Sequence, residues 1–154
     1  MHLPDRFHFT HRRLVEFADT DLAGIVHFAN FLRYVESAEH AFFRSLGFRV
    51  HTTTTDGQEG WPRLELSCRF LKPARFEETL EICLHIDEIR TSSLRYTFAI
   101  FTAGDASRAP LATGTFTIIH VALDPHGHGM RKSPIPPDLR QQLESTIAST
   151  GAPT

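Results

Sequence analysis

The chain predicts an α+β fold, a five-stranded antiparallel sheet curled around one long apolar helix. Three observations predict it. One segment carries apolar residues at spacings of three and four, four later stretches alternate with period two, and the connections between those stretches are too short for parallel crossovers. At 154 residues, 41% of them hydrophobic, the chain suits a single domain with one core.

The first strand is read from FHFTHRRLVEF, Phe7 to Phe17, where Phe7, Phe9, Val15 and Phe17 share a parity. A D-T-D-L-A-G loop follows. The helix is read from Phe28 to Leu46, because Phe28, Phe31, Leu32, Val35, Ala38, Phe42, Phe43 and Leu46 form one stripe that leaves out Arg33, Glu36 and Arg44. Gly47 reads as its C-terminal cap. Residues 51–60 are polar, Thr-rich and Gly-containing, a loop by composition.

Strand patterns then recur. Leu64, Leu66, Cys68 and Phe70 oppose Arg63, Glu65, Ser67 and Arg69, and Leu80, Ile82, Leu84 and Ile86 oppose Glu81, Cys83, His85 and Asp87. Leu94 to Thr102 and Leu111 to Leu123 complete the set, all four expected to pair as antiparallel hairpins. A Pro- and Gly-rich segment, 124–137, leads to a short helix from about Asp138 to Ala148, with 149–154 expected to fray, so the domain is read as 1–148. The only layer arrangement that buries such a sheet with a single long helix is the sheet wrapped on the helix, the hot-dog architecture.

Composition narrows the function. A net charge of −2 gives no global positive field, so neither nucleic acid nor an anionic membrane is an expected partner. No run approaches the ~18 apolar residues of a membrane span, and the N-terminal segment has no apolar core of a secretory signal. Cys68 and Cys83 have no disulfide-framework spacing, which fits a reducing, cytoplasmic location.

The stretch richest in chemistry is F-A-D-T-D-L-A-G-I-V-H-F-A-N-F, Phe17 to Phe31, which sets two acids and a glycine just before the helix. Helix starts present unpaired amides and partial positive charge, able to stabilise an oxyanion, and Asp19 or Asp21 could act beside them. Each acid could equally stabilise the loop. This stretch, with the helix L-R-Y-V-E-S-A-E-H-A-F-F-R-S-L-G, resembles the hot-dog acyl-CoA thioesterases of the 4-hydroxybenzoyl-CoA thioesterase type, including the Tol-Pal-associated branch. The resemblance implies thioester hydrolysis of an aromatic or short- to medium-chain acyl-CoA, with no cofactor and no metal. It places the catalytic carboxylate at Asp21, as nucleophile or general base, and an oxyanion donor at the Phe28 amide.

His27, Asn30 and Phe31 are then expected at the substrate, Asn30 also fixing the loop or capping the helix. Arg90, Ser92 and Ser93, in the turn D-E-I-R-T-S-S-L, are expected near the CoA phosphates. Lys72, Arg75, Arg131 and Lys132 are rival phosphate contacts. The chain has His27-Phe28 where the Tol-Pal branch has Tyr-His, and Asp21-Leu22 where the 4-hydroxybenzoyl branch has Asp-Pro. A homodimer or homotetramer is expected, because relatives form their sites between subunits and a half-wrapped sheet leaves an edge to cover.

Other chemistries lack their motifs. There is no G-x-S-x-G elbow, no Gly-rich phosphate loop and no HExxH. The H-G-H of His126 to His128 reads as a polar turn. The alternative from another class is a non-catalytic acyl-CoA sensor or carrier of the same fold.

Overall fold

The computed structural model describes residues 2–54, 57–124 and 129–151. Five strands form the main sheet: β1 (Phe9–Leu14), β4 (Arg63–Phe70), β5 (Thr79–Ile89), β6 (Ser93–Thr102) and β7 (Ala112–Ile119). Their order is β1-β5-β6-β7-β4, with every neighbouring pair antiparallel. The sheet wraps α1 (Phe28–Ser45), as the sequence predicts.

The core lies between sheet and helix. Phe31, Val35, Ala38, Phe42 and Phe43 of α1 meet Leu80, Ile82, Leu84, Leu94, Tyr96, Phe98, Ile100, Phe116 and Ile118 of the strands. Gly47 ends the helix at φ +84°. Its amide bonds to the Arg44 carbonyl and that of Phe48 to the Phe43 carbonyl, the paired bonds of a Schellman cap. On the convex face, Leu3 and Phe7 cover Cys83, Ala99 and Phe101.

Four expectations are corrected. First, β4 and β5 are not a hairpin: β4 pairs with β7 at the opposite edge. The connection 71–78 must cross about 14 Å of sheet at ~4.8 Å per strand, well within the reach of eight extended residues. Second, residues 51–60 are not a plain loop. His51–Thr54 and Gly57–Gly60 form β2 and β3, which join β8 (Val121–Leu123) and β9 (Met130–Lys132) in a second sheet of order β2-β3-β8-β9. Thus the stretch 111–123 is two strands, broken at His120, with β8 leaving the main sheet.

Third, the alternation in β4 is interrupted. A bulge between Arg63 and Glu65 makes Leu64 the extra residue, so Arg63 pairs with Ile118 and shares the inward face with Leu66, Cys68 and Phe70. Leu64 is 62% exposed. Fourth, the C-terminal helix α2 runs Pro137–Gly151, past the expected end near Ala148. It buries Leu139 and Leu143 against the core. Among the described residues no helix is long and apolar enough to cross a membrane. His126 and His128 lie outside the described residues.

Candidate active site

The segment entering α1 folds because each backbone group has a local partner. Phe17–Asp19 form a 3-10 turn in which the Asp19 carboxylate accepts the Glu16 amide at 3.0 Å. Thr20 and Val26 bridge as an antiparallel pair, closing a tight turn at Gly24, φ +71°. Asp21 lies within it: its Oδ1 accepts the Ala23 amide at 2.8 Å, and its backbone bonds to Ile25 and Gly24. That hydrogen bond fixes one carboxylate oxygen and leaves the exposed carboxylate held at the turn.

His27 is the helix N-cap, with Nδ1 accepting the Ala29 amide at 3.3 Å. Val26 and Phe31 occupy the positions of a hydrophobic staple around it, and both are 3% exposed. The Ala29 amide is used by His27 Nδ1 and that of Asn30 by the His27 carbonyl. The Phe28 amide, at the first helical position, has no intrahelical acceptor and sits where the helix's partial positive charge concentrates. Asn30 donates from Nδ2 to the Asp19 carbonyl at 2.8 Å, so it ties the loop, while His27 does the capping.

A cleft of about 410 Å³ opens beside this turn, lined by Asp21, Ile25, Val26, Phe28, Phe31, Phe70, Leu71, Lys72 and Pro73. It brings together Asp21, Phe28 and Phe31 of the expected residues. The Phe70 ring stands edge-on to both Phe28 and Phe31, at 6.4 and 5.5 Å between centroids. The far wall comes from the end of β4 and the segment after it, held down where the Val26 amide bonds to the Ala74 carbonyl. His27 and Asn30 border this turn without lining the cleft.

Sequence reasoning did not select Phe70, and named Lys72 only as one of four rival cations. The signal for Phe70 was its inward parity at the very end of a strand, where a ring has no next strand residue to bury it; it is 48% exposed. Glu39 was also missed. It sits four residues after Val35 and three before Phe42, inside the apolar stripe, and an acid there requires a buried cation. Arg63 supplies one, with Nη2 2.7 Å from Glu39 Oε2. Burial raises the Glu39 pKa, and the Arg63 guanidinium opposes that rise.

Arg90 and Ser93 lie elsewhere, on a cleft of about 200 Å³ with Leu64, Glu65, Glu88, Arg95 and Thr117. Arg90 Nε is 2.8 Å from Glu88 Oε1. Ser92 is 3% exposed, so its side chain is shut off from this cleft. Within one chain the two clefts touch opposite ends of β4, Glu65 and Phe70, about 17 Å apart at ~3.3 Å per residue.

Comparison with known proteins places the family. Residues 15–143 match the family model of the thioesterase-like superfamily. The chain is 30% identical over 135 residues to a 1,4-dihydroxy-2-naphthoyl-CoA hydrolase of Thermosynechococcus vestitus, covering 88% of each. Among solved structures it superposes on a 1,4-dihydroxy-2-naphthoyl-CoA thioesterase from Synechocystis with TM-score 0.75 and 26% identity, over 94% of this chain and 98% of that one. A gentisyl-coenzyme A thioesterase superposes with TM-score 0.72 and 26% identity, over 87% and 98%. The wrapped sheet and its central helix are therefore shared architecture, and the chain belongs to the thioesterase-like superfamily as a thioester hydrolase of hot-dog fold.

Proposed function

We propose that this thioesterase hydrolyses acyl-CoA with an aryl acyl group, using Asp21 as nucleophile or as general base on water. The observation that carries this reading is that Asp21 and Phe28, whose first-turn amide has no intrahelical acceptor, line one apolar cleft. A thioester carbonyl set there meets an acid that can attack it or activate water, and a donor for the oxyanion. Attack expels the CoA thiolate and leaves the carboxylic acid, directly or after hydrolysis of an acyl-Asp21 anhydride. The aromatic walls favour a flat acyl group, and the named relatives act on hydroxylated aryl thioesters.

Arg90 and Ser93 serve the CoA phosphates in this reading only if a second copy supplies them. The outer edge of β4 has no strand partner among the described residues, and Leu66, Phe70 and Leu71 are exposed on or beside it. Antiparallel pairing of two β4 strands would set the Glu65 end of one beside the Phe70 end of the other. The arrangement explains why the two clefts of one chain lie so far apart. Lys72 is the cation among the residues that line the Asp21 cleft.

The experiment is thiol release from a panel of benzoyl-type and short- to long-chain acyl-CoAs, with wild type run beside Asp21→Asn. Turnover by wild type, lost in the variant and highest with aryl groups, is the expected result. Binding without thiol release would favour the sensor or carrier instead.

A further inference from the structure

The cleft that holds Arg90 and Ser93 is framed by two bulges at one end of the main sheet. The bulge in β4 makes Leu64 the extra residue, and the one in β5 falls between Ile86 and Glu88. Strict alternation from Leu80 through Ile86 would carry Glu88 to the inner face. The bulge instead pairs Glu88 with Arg95 and Ile89 with the core residue Leu94, so Glu88 stands on the outer face beside Arg95. Arg90, two residues further on, shares that face, and its Nε lies 2.8 Å from Glu88 Oε1.

The backbone beneath Arg90 is fixed by the C-terminal part of the chain. The carbonyls of Arg90, Thr91 and Ser92 accept in turn from Arg140 Nη2, the Ile135 amide and the His120 amide. The Arg90 amide donates to the Ser93 carbonyl at 2.9 Å. The Arg90 side chain is the part left to swing, and it is 68% exposed, with Glu88 at 44%. An ion pair so open to water separates at little cost. The two cations of the cleft differ in what separation achieves. Arg95 has two carboxylates in reach, Glu65 at 3.5 Å and Asp87 at 4.0 Å, whereas Arg90 holds Glu88. The hydrogen bond from Arg90 keeps the Glu88 carboxyl below its ordinary range, so Glu88 is ionised at neutral pH. A phosphate offers a guanidinium the same pair of anionic oxygens with more charge behind them.

We propose that Glu88 holds Arg90 in the free protein as an internal stand-in for a CoA phosphate, which displaces it when substrate binds. Glu88 thereby sets the affinity for the phosphate-bearing end of the substrate. The proposal rests on the reading above that Arg90 serves the CoA phosphates, and adds the residue that competes for it.

The test is calorimetric titration of the full chain with two thioethers that are not hydrolysed, S-phenacyl-CoA and S-phenacyl-pantetheine. They share the aryl group, and only the first carries phosphates. Glu88→Gln tightens Kd for the CoA thioether about threefold and leaves that for the pantetheine thioether unchanged. Arg90→Gln weakens the CoA thioether alone, and adding Glu88→Gln to it brings no gain. Glu65→Gln removes the same charge from the same cleft but leaves Asp87 on Arg95 and Glu88 on Arg90, so it gives no comparable gain. An unchanged or weaker Kd in Glu88→Gln overturns the proposal. So does an equal gain with the pantetheine thioether or in Glu65→Gln, either of which would make the effect one of net charge or packing, and so does a gain that survives Arg90→Gln. Thiol release from benzoyl-CoA, measured in parallel, reads hydrolysis separately. Turnover by wild type, alongside a CoA-thioether Kd that Arg90→Gln does not move, would keep the thioesterase and overturn the role of Glu88.

Discussion

Asp19 and Asp21 stand two residues apart and face different tasks because their backbones do. Asp19 is consumed by structure: its carboxylate accepts the Glu16 amide, and its carbonyl accepts from the His27 amide and Asn30 Nδ2. Asp21 holds only its own turn and borders the cleft. Asp21→Asn is therefore expected to lower kcat by about 10²–10⁴-fold with unfolding behaviour unchanged. Asp19→Asn should instead lower the thermal midpoint, because it weakens the charge-assisted bond to the Glu16 amide. Thermal melts beside thiol-release rates separate the two.

A histidine supplies a pH prediction. The half-buried His8 ring stacks on His85 at 4.3 Å between centroids, and His8 Nδ1 accepts the Ile86 amide at 2.8 Å. Burial, reinforced by His85, lowers its pKa from 6.5 to about 4. The unfolded chain therefore takes a proton near pH 6.5 that the folded chain refuses. The stability that neutral His8 contributes is complete above that value and is lost as pH falls from 6.5 towards 4. His8→Asn keeps an acceptor for Ile86 and cannot titrate. Its thermal midpoint should fall less than that of wild type between pH 7 and 4.5.

At the scale of elements, β4 shows what a single inserted residue does. Strict alternation would put Leu64 inside and Arg63 outside, and the bulge reverses both. Periodicity conveys parity but not the position of a bulge, which depends on what the partner strand and helix offer; here Glu39 offers a buried carboxylate. Gly114 on β7 marks another close approach. A Cβ there would overlap the Ser67 carbonyl oxygen and the Phe98 ring. Gly114→Ala should destabilise the fold by about 1–3 kcal/mol, read as a lower denaturant midpoint, since strand backbone and a fully buried ring must both shift. The helix, by contrast, was legible nearly to the residue. Its stripe, N-terminal loop and glycine cap are local features, and the structure ends α1 one residue before the reading did.

Across the whole molecule, the Asp21 cleft on the α1 and β4 seam opens beside an edge strand, β4, whose outer side lacks a strand partner among the described residues. Light scattering at micromolar concentration should give at least twice the 17.4 kDa chain mass. A monomer there would leave Arg90 and Ser93 unable to serve the Asp21 cleft and would refute the shared-site arrangement.

The amino-acid sequence by itself determined the one-helix, five-strand architecture, the placement of Asp21 and Phe28 at the helix start, and the inward parity of most strand positions. These follow from periodicity and from residues near one another in the chain. Only the tertiary structure decided that β4 crosses to the far edge, that residues 51–60 build a second sheet, and that Phe70 and Lys72 complete the cleft. It also decided that Arg63 and Glu39 meet inside the core. Each of these joins residues distant along the chain, and such pairings are selected by burial and charge compensation across the whole fold, for which local pattern carries no signal.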